Sequence, residues 1–281
     1  MKKSLCMFAA FFVISCGIIA GQTSAGDEAA PSGNVSYARR PQARTEQERE
    51  DYLAASSATT GATLEAAAED FEARYPESKL RVYLYAQTMQ QYQEENNAPR
   101  LLAMAEKVLA LDPNHSVALA LSATVLADNL ETGDRDRERE IQEIKRNAGR
   151  AIYGANQGFM APTSATPEQV VLYRSAVQSM AYSALGIMKL KTGDDAGAEK
   201  DLITALALNK LRPDPYLWYH LALAQDHRRQ YSAALNSVEQ ALQLASSNPQ
   251  LQKLAEIEHD RLSGLAGRAP GGRNGAGAQR Q

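Results

Sequence analysis

The stretch PYLWYHLALAQDHRRQYSAALNSVEQALQL, from Pro215 to Leu244, decides how this chain folds. It contains the only tryptophan, Trp218, and two of the four histidines, His220 and His227. Small residues recur along it at helical spacing, which places them on one face of each of two helices. Small side chains on facing surfaces let two helix backbones approach closely and pack densely. The stretch therefore predicts a tightly packed pair of antiparallel helices.

The same spacing of small and apolar residues occurs earlier in the chain, in 64–76, 101–113 and 198–208. A repeat period in the mid-thirties is typical of stacked helix pairs. One pair cannot bury its apolar face alone, whereas stacked pairs share a continuous core. The sequence therefore predicts a helical array.

This spacing resembles the tetratricopeptide repeat (TPR) family. The segment from Pro215 carries the family's bulky and small residues at Trp218, Leu221, Ala222, Ala234, Val238 and Ala241. The segment from Ser179 carries them at Tyr182, Leu185, Gly186, Ala198, Leu202 and Ala205. A third segment, from Val82, matches in part, with Thr88 and Ala105 where the family is bulky. The resemblance implies an all-α fold, a right-handed α-solenoid of TPR-like antiparallel helix pairs.

About five pairs and a C-terminal capping helix over 247–265 are expected. The repeat that begins near Ser116 is longer than the others, with a charged second helix over 134–155. The next helix is predicted to start with Thr166 as N-cap and Pro167 as its first residue, and to run to Lys191. An alternative is that 140–178 contains one more degenerate repeat.

The chain is expected to have four segments. Lys2 and Lys3 precede an apolar run, as in a secretory signal peptide, so 1–25 is predicted to be cleaved. Lipidation at Cys16, in the lipobox-like VISC, and retention as an anchor are the alternatives. A disordered linker over 26–44, the repeat domain over 45–265 and a disordered Gly/Ala/Arg-rich tail over 266–281 are predicted to follow.

Composition and motifs argue against several functions. The net charge of −3 lacks the basic excess of a nucleic-acid-binding protein. Both cysteines, Cys6 and Cys16, lie in the signal segment. His220 and His227 are about 10 Å apart along a helix, too far to share a metal ion, and are interpreted as histidines at the solvent edge. We therefore expect no catalytic residue, metal or cofactor, and no enzymatic activity.

In TPR proteins, positions on the first helix of each pair (helix A) line a concave surface. We call this side of the array the helix A face. Its candidate partner-binding residues are Tyr83, Gln90, Met180, Ile187, Tyr216, Tyr219, Leu223 and His227, and its charged positions include Glu94, Asp128, Lys191 and Asp226.

The resemblance implies a non-catalytic, exported scaffold that binds a protein or peptide partner in a bacterial periplasm or cell envelope. A permanent accessory subunit of an envelope assembly or secretion complex, lipidated in one version, is the alternative. Membrane contact is expected only through an N-terminal lipid or an uncleaved signal anchor.

Overall fold

The computed structural model describes residues 42–133, 135–158, 165–209 and 213–267. All regular structure in these residues is helical. The helices are α1 Glu46–Ser56, α2 Gly61–Arg74, α3 Arg81–Glu94, α4 Ala98–Leu111, α5 Ser116–Asn129, α6 Arg137–Gly158, α7 Pro167–Thr192, α8 Asp195–Leu208, α9 Pro215–His227, α10 Tyr231–Leu244 and α11 Pro249–Ala266. The signal peptide, Cys16 and nearly all of the linker and tail lie outside the described residues.

Each odd-numbered helix from α1 to α9 packs against the next helix in the chain, which gives five consecutive pairs followed by α11. Neighbouring pairs are joined by contacts such as α2 with α3 and α8 with α9, and α7 also contacts α5 and α9. This architecture confirms the all-α fold and is compatible with a solenoid-like repeat. No helix within the described residues has the length and hydropathy that crossing a membrane requires.

Three of the pairs share one turn geometry. The residue or second residue after the first helix has a positive φ at Asn96 (53°), Gly193 (84°) and Arg229 (60°). In each case the next backbone N–H donates to a carbonyl five residues earlier, as from Asp194 to Lys189, 2.9 Å. This closes the end of the first helix in the manner of a Schellman motif. These are the three segments whose side-chain spacing resembles the TPR family, so backbone and side chains repeat together.

The predicted close contacts between helices are confirmed. Ala222, Ala234 and Ala241 are fully buried between α9 and α10. Trp218 is half-buried and contacts the two apolar clusters on either side of α9, so it bridges neighbouring pairs. Thr88, where the family has a bulky residue, is fully buried, and its hydroxyl donates to the Leu84 carbonyl at 2.8 Å. That bond satisfies the polar group in the core.

Local capping signals set the ends of the longer helices. Thr166 and Gln169 form a reciprocal capping box at the start of α7, with Pro167 as first residue. Asn248 caps α11, and Asp194 caps α8 by accepting from the Gly197 N–H. The helix predicted over 134–155 is observed as α6, Arg137–Gly158. Since α6 and α7 are each unbroken, the described part of 140–178 contains no additional helix pair.

The last helix departs from the expected polar cap. Leu251, Ala255 and Leu262 lie on its buried side, against the preceding pair. On the opposite side, Ile257 is 59% exposed and Leu254 is 36% exposed. The end of the array therefore presents apolar side chains to solvent.

Candidate functional site

The predicted partner-binding residues fall into two groups in the structure. Met180 and Ile187 are buried in the main core, because α7 is packed against α5, α6 and α8 at once. They offer little surface to a partner. The accessible or half-buried members are Tyr83, Gln90, Tyr216, Tyr219, Leu223 and His227.

The accessible residues of α9 are fixed by neighbouring helices. The Tyr216 hydroxyl accepts a hydrogen bond from Asn248 Nδ2 at 2.6 Å, which ties the start of α9 to the cap of α11. Tyr219 packs against the cluster formed by α9, α10 and α11. His227 Nδ1 lies 2.9 Å from Asp195 Oδ1 at the start of α8. Leu223 is half-buried on the same helix.

The structure brings three positions of the helix A face together, from three different helix pairs. Lys191, at the end of α7, donates from Nζ to the carbonyls of Ala127 at 2.9 Å and Asp128 at 2.5 Å. These carbonyls belong to the last turn of α5, where backbone acceptors lack helical partners. A cation at this end of a helix is also favoured by the helix dipole. Asp128 in turn interacts electrostatically with Tyr216 and with Asp214 at the start of α9.

We call Asp128, Lys191, Asp214, Tyr216 and His220 the inner polar cluster. It joins the third, fourth and fifth helix pairs. The contact surface between α7 and α9 is small, so these polar groups lie where the array has little apolar contact between its first helices. The cluster is therefore the most densely charged part of the helix A face that the described residues contain.

Asp128 is half-buried, and burial is the main influence on its carboxyl group. Burial raises the pKa of Asp128 to about 7; Lys191 opposes the shift and the negative charge of Asp214 adds to it. The ammonium of Lys191 is shared with two backbone carbonyls, so it does not fully compensate this carboxylate. Asp128 therefore changes its charge near neutral pH, an uncommon property for an aspartate.

His220 differs from the sequence-based interpretation. It is not a solvent-edge histidine, because Nδ1 is buried and has no hydrogen-bond partner among the described residues. Burial and the positive charge of Lys191 lower the pKa of His220 to about 4, opposed by the backbone of Tyr216 one turn earlier. The ring is neutral at physiological pH. A buried polar atom without a partner is uncommon and marks this position as unusual.

The cluster supports binding better than covalent chemistry. Burial also raises the pKa of Tyr216 to about 12, so its hydroxyl remains protonated at neutral pH. Asp226, which a catalytic interpretation would pair with His227, is held by Arg261 at 2.5 Å. Within the described ranges, no group of three His, Cys, Asp or Glu side chains is placed to hold a metal ion.

The sequence contained only part of the signal for this cluster. Asp128, Lys191 and Tyr216 were assigned to the helix A face by repeat position. His220 falls outside those positions, and Asp214 precedes α9 as its N-cap. Repeat phase gives the side of a helix, whereas the burial that shifts these pKa values depends on where three pairs converge.

Comparison with models of known protein families finds no match to this chain, and comparison with curated proteins finds none.

Proposed function

We propose that this chain is a non-catalytic scaffold of the TPR type, which binds a protein or peptide partner along its helix A face. The observation that carries the proposal is the repeated unit itself. Three pairs share both the small-residue contacts and the positive-φ turn, and they stack so that their first helices present one continuous side. Stacked repeats of this kind bind through an extended surface rather than through a deep pocket.

The residues on that side suit an extended or helical peptide. Tyr216, Tyr219 and Leu223 combine apolar surface with hydroxyl groups, and tyrosine is enriched in binding interfaces. Tyr216 and Tyr219 are supported from behind by α11 and its cluster. Side chains that are already ordered lose less conformational entropy on binding.

We further propose that the chain acts after export, in a bacterial periplasm or cell envelope. The support is the layout of residues 1–25, in which Lys2 and Lys3 precede an apolar run and a small-residue cleavage site. Mass spectrometry of the mature N-terminus tests this: a chain starting after Ala25 is expected, and a diacylated Cys16 would favour the lipoprotein version.

Leu223 and Ile203 provide a matched test of the binding surface. Leu223 is half-buried on the helix A face of α9, whereas Ile203 is 49% exposed on α8, a second helix of a pair. A photo-crosslinking residue at 223 is expected to capture a defined partner in the native envelope, and one at 203 is not. Leu223→Asp should abolish association with that partner, and Ile203→Asp should leave it unchanged. Equal crosslinking at both positions would contradict the proposal.

A permanent accessory subunit remains a second candidate, because Leu254 and Ile257 are exposed at the end of the array. An obligate interface would cover such apolar side chains. This candidate predicts that the isolated chain self-associates in light scattering, and that it becomes monodisperse when co-expressed with one fixed partner. A clean monomer at micromolar concentration would exclude it.

A further inference from the structure

We propose that the inner polar cluster is a receptor for an arginine side chain of the bound peptide, with the carboxylate of Asp128 as its main acceptor. The inference rests on the proposed function and deepens it by naming the chemistry of the partner.

The charge balance of the helix A face is the first argument. Its assigned positions include the carboxylates Glu94, Asp128 and Asp226 but only one lysine, Lys191. Asp226 is neutralised by Arg261. Lys191 directs its ammonium toward the carbonyls at the end of α5. A ligand with positive charge complements what is left.

The environment of Asp128 is the second argument. Its ionised form is disfavoured by burial and by Asp214, and the nearby lysine does not compensate for this. A bound guanidinium would supply the missing positive charge in a partly desolvated position. Carboxylates bind guanidinium groups in a bidentate geometry that ammonium groups cannot reproduce.

His220 is the third and independent argument. Its Nδ1 is buried without a partner beside the same lysine that faces Asp128, and the ring is neutral. A neutral imidazole has one nitrogen that accepts a hydrogen bond. A guanidinium has five N–H donors, enough to bond Asp128 and, with a small adjustment of the ring, His220 as well. A neutral histidine also tolerates the approach of a cation.

The experiment uses the chain from residue 26 onward and a pool of random nonapeptides with blocked ends. Peptides retained by the parent protein are expected to be enriched in arginine over the input pool. In a selected peptide, replacing that arginine with citrulline, its uncharged analogue, should weaken binding at least tenfold. Replacing it with lysine should weaken binding less.

The receptor side has a matched pair of variants. Asp128→Asn should weaken binding of the arginine peptide at least tenfold. Glu131→Gln removes the same charge from an exposed position three residues away and should leave the affinity unchanged. A circular dichroism melt of each variant verifies folding.

The pH dependence gives a readout that a structural role would not produce. The groups around Asp128 are Lys191 from α7 and Asp214, Tyr216 and His220 from α9. Since the pKa values of His220 and Tyr216 are about 4 and 12, neither titrates between about pH 6 and pH 8. Binding of the arginine peptide should tighten severalfold over that range in the parent, and binding of the citrulline peptide should not.

The outcomes separate this inference from the proposed function. Retained peptides without arginine enrichment, or equal affinity of the parent and Asp128→Asn, would overturn the arginine receptor and leave peptide binding in place. A parent protein that retains no peptide would overturn peptide binding itself.

Discussion

Replacing Leu202 with alanine is expected to lower the free energy of unfolding by about 2–5 kcal/mol, the range for large-to-small substitutions in a core. Leu202 is fully buried between α7 and α8. It lies against Gly186, where an added Cβ would be 2.7 Å from Leu202 Cγ. The two residues therefore share one volume, and the substitution leaves a cavity beside the glycine.

Gly186→Ala gives a matched test whose sign depends on residue 202. In the parent, the added methyl group clashes with Leu202, and overpacking of this kind costs about 1–3 kcal/mol. In the Leu202→Ala background the clash is removed, while alanine still exceeds glycine in helix propensity by about 1 kcal/mol. We therefore expect Gly186→Ala to destabilise the parent and to stabilise the Leu202→Ala variant.

Urea unfolding of the four proteins in this cycle measures the coupling. Additive effects, with Gly186→Ala equally harmful in both backgrounds, would show that α7 and α8 do not approach through this pair. The same result would place the repeat phase of the fourth pair in error.

Two substitutions in the inner polar cluster are expected to change the pH dependence of stability in opposite directions. The pKa of Asp128 is raised to about 7 in the folded chain, so this carboxyl contributes stability that is complete below its unfolded pKa and is lost as pH rises through about 7. The pKa of His220 is lowered to about 4, so its contribution is present above its unfolded pKa and is lost as pH falls through about 4.

Between about pH 4.5 and 6.5 these contributions cancel in slope. Across this interval the folded chain holds the proton on Asp128 and the unfolded chain holds it on His220. Each group alone corresponds to about 1.4 kcal/mol per pKa unit, or on the order of 2–3 kcal/mol for half-buried residues. The parent should therefore show little pH dependence from this cluster.

The single variants remove the cancellation. Relative to the parent, Asp128→Asn should gain stability as pH rises from about 4 to 7, and His220→Phe should lose it over a similar interval. Urea unfolding at several pH values measures both slopes, and Glu131→Gln serves as the control. Parallel behaviour of the two variants would contradict the burial of one or both groups.

Local sequence signals predicted the helix ends well. Thr166 with Pro167, Asn248 with Pro249, and Asp194 after Gly193 act through bonds within one turn, so no distant residue is needed to interpret them. The positive φ at Arg229 had no such signal, because arginine carries no preference for this conformation. It is imposed by the turn that the packed pair requires.

Surface assignments followed the sequence less closely. Met180 and Ile187 have the phase of exposed positions but are buried, because α7 is nearly twice as long as α8 and is packed on three sides. Ile257 lies on a predicted cap but is exposed. Phase determines which side of a helix a residue occupies, whereas exposure depends on which neighbours cover that side.

The sequence by itself determined the helical repeat, the close contacts at Ala222, Ala234 and Ala241, and the caps. Each of these depends on spacing within one or two helices, where the α-helical period fixes the geometry. Only the tertiary structure decided that Asp128, Lys191 and His220 meet, and that a carboxyl and an imidazole there acquire shifted pKa values. Electrostatics of this kind depends on burial and on charges from distant segments, which converge only when the helix pairs have stacked.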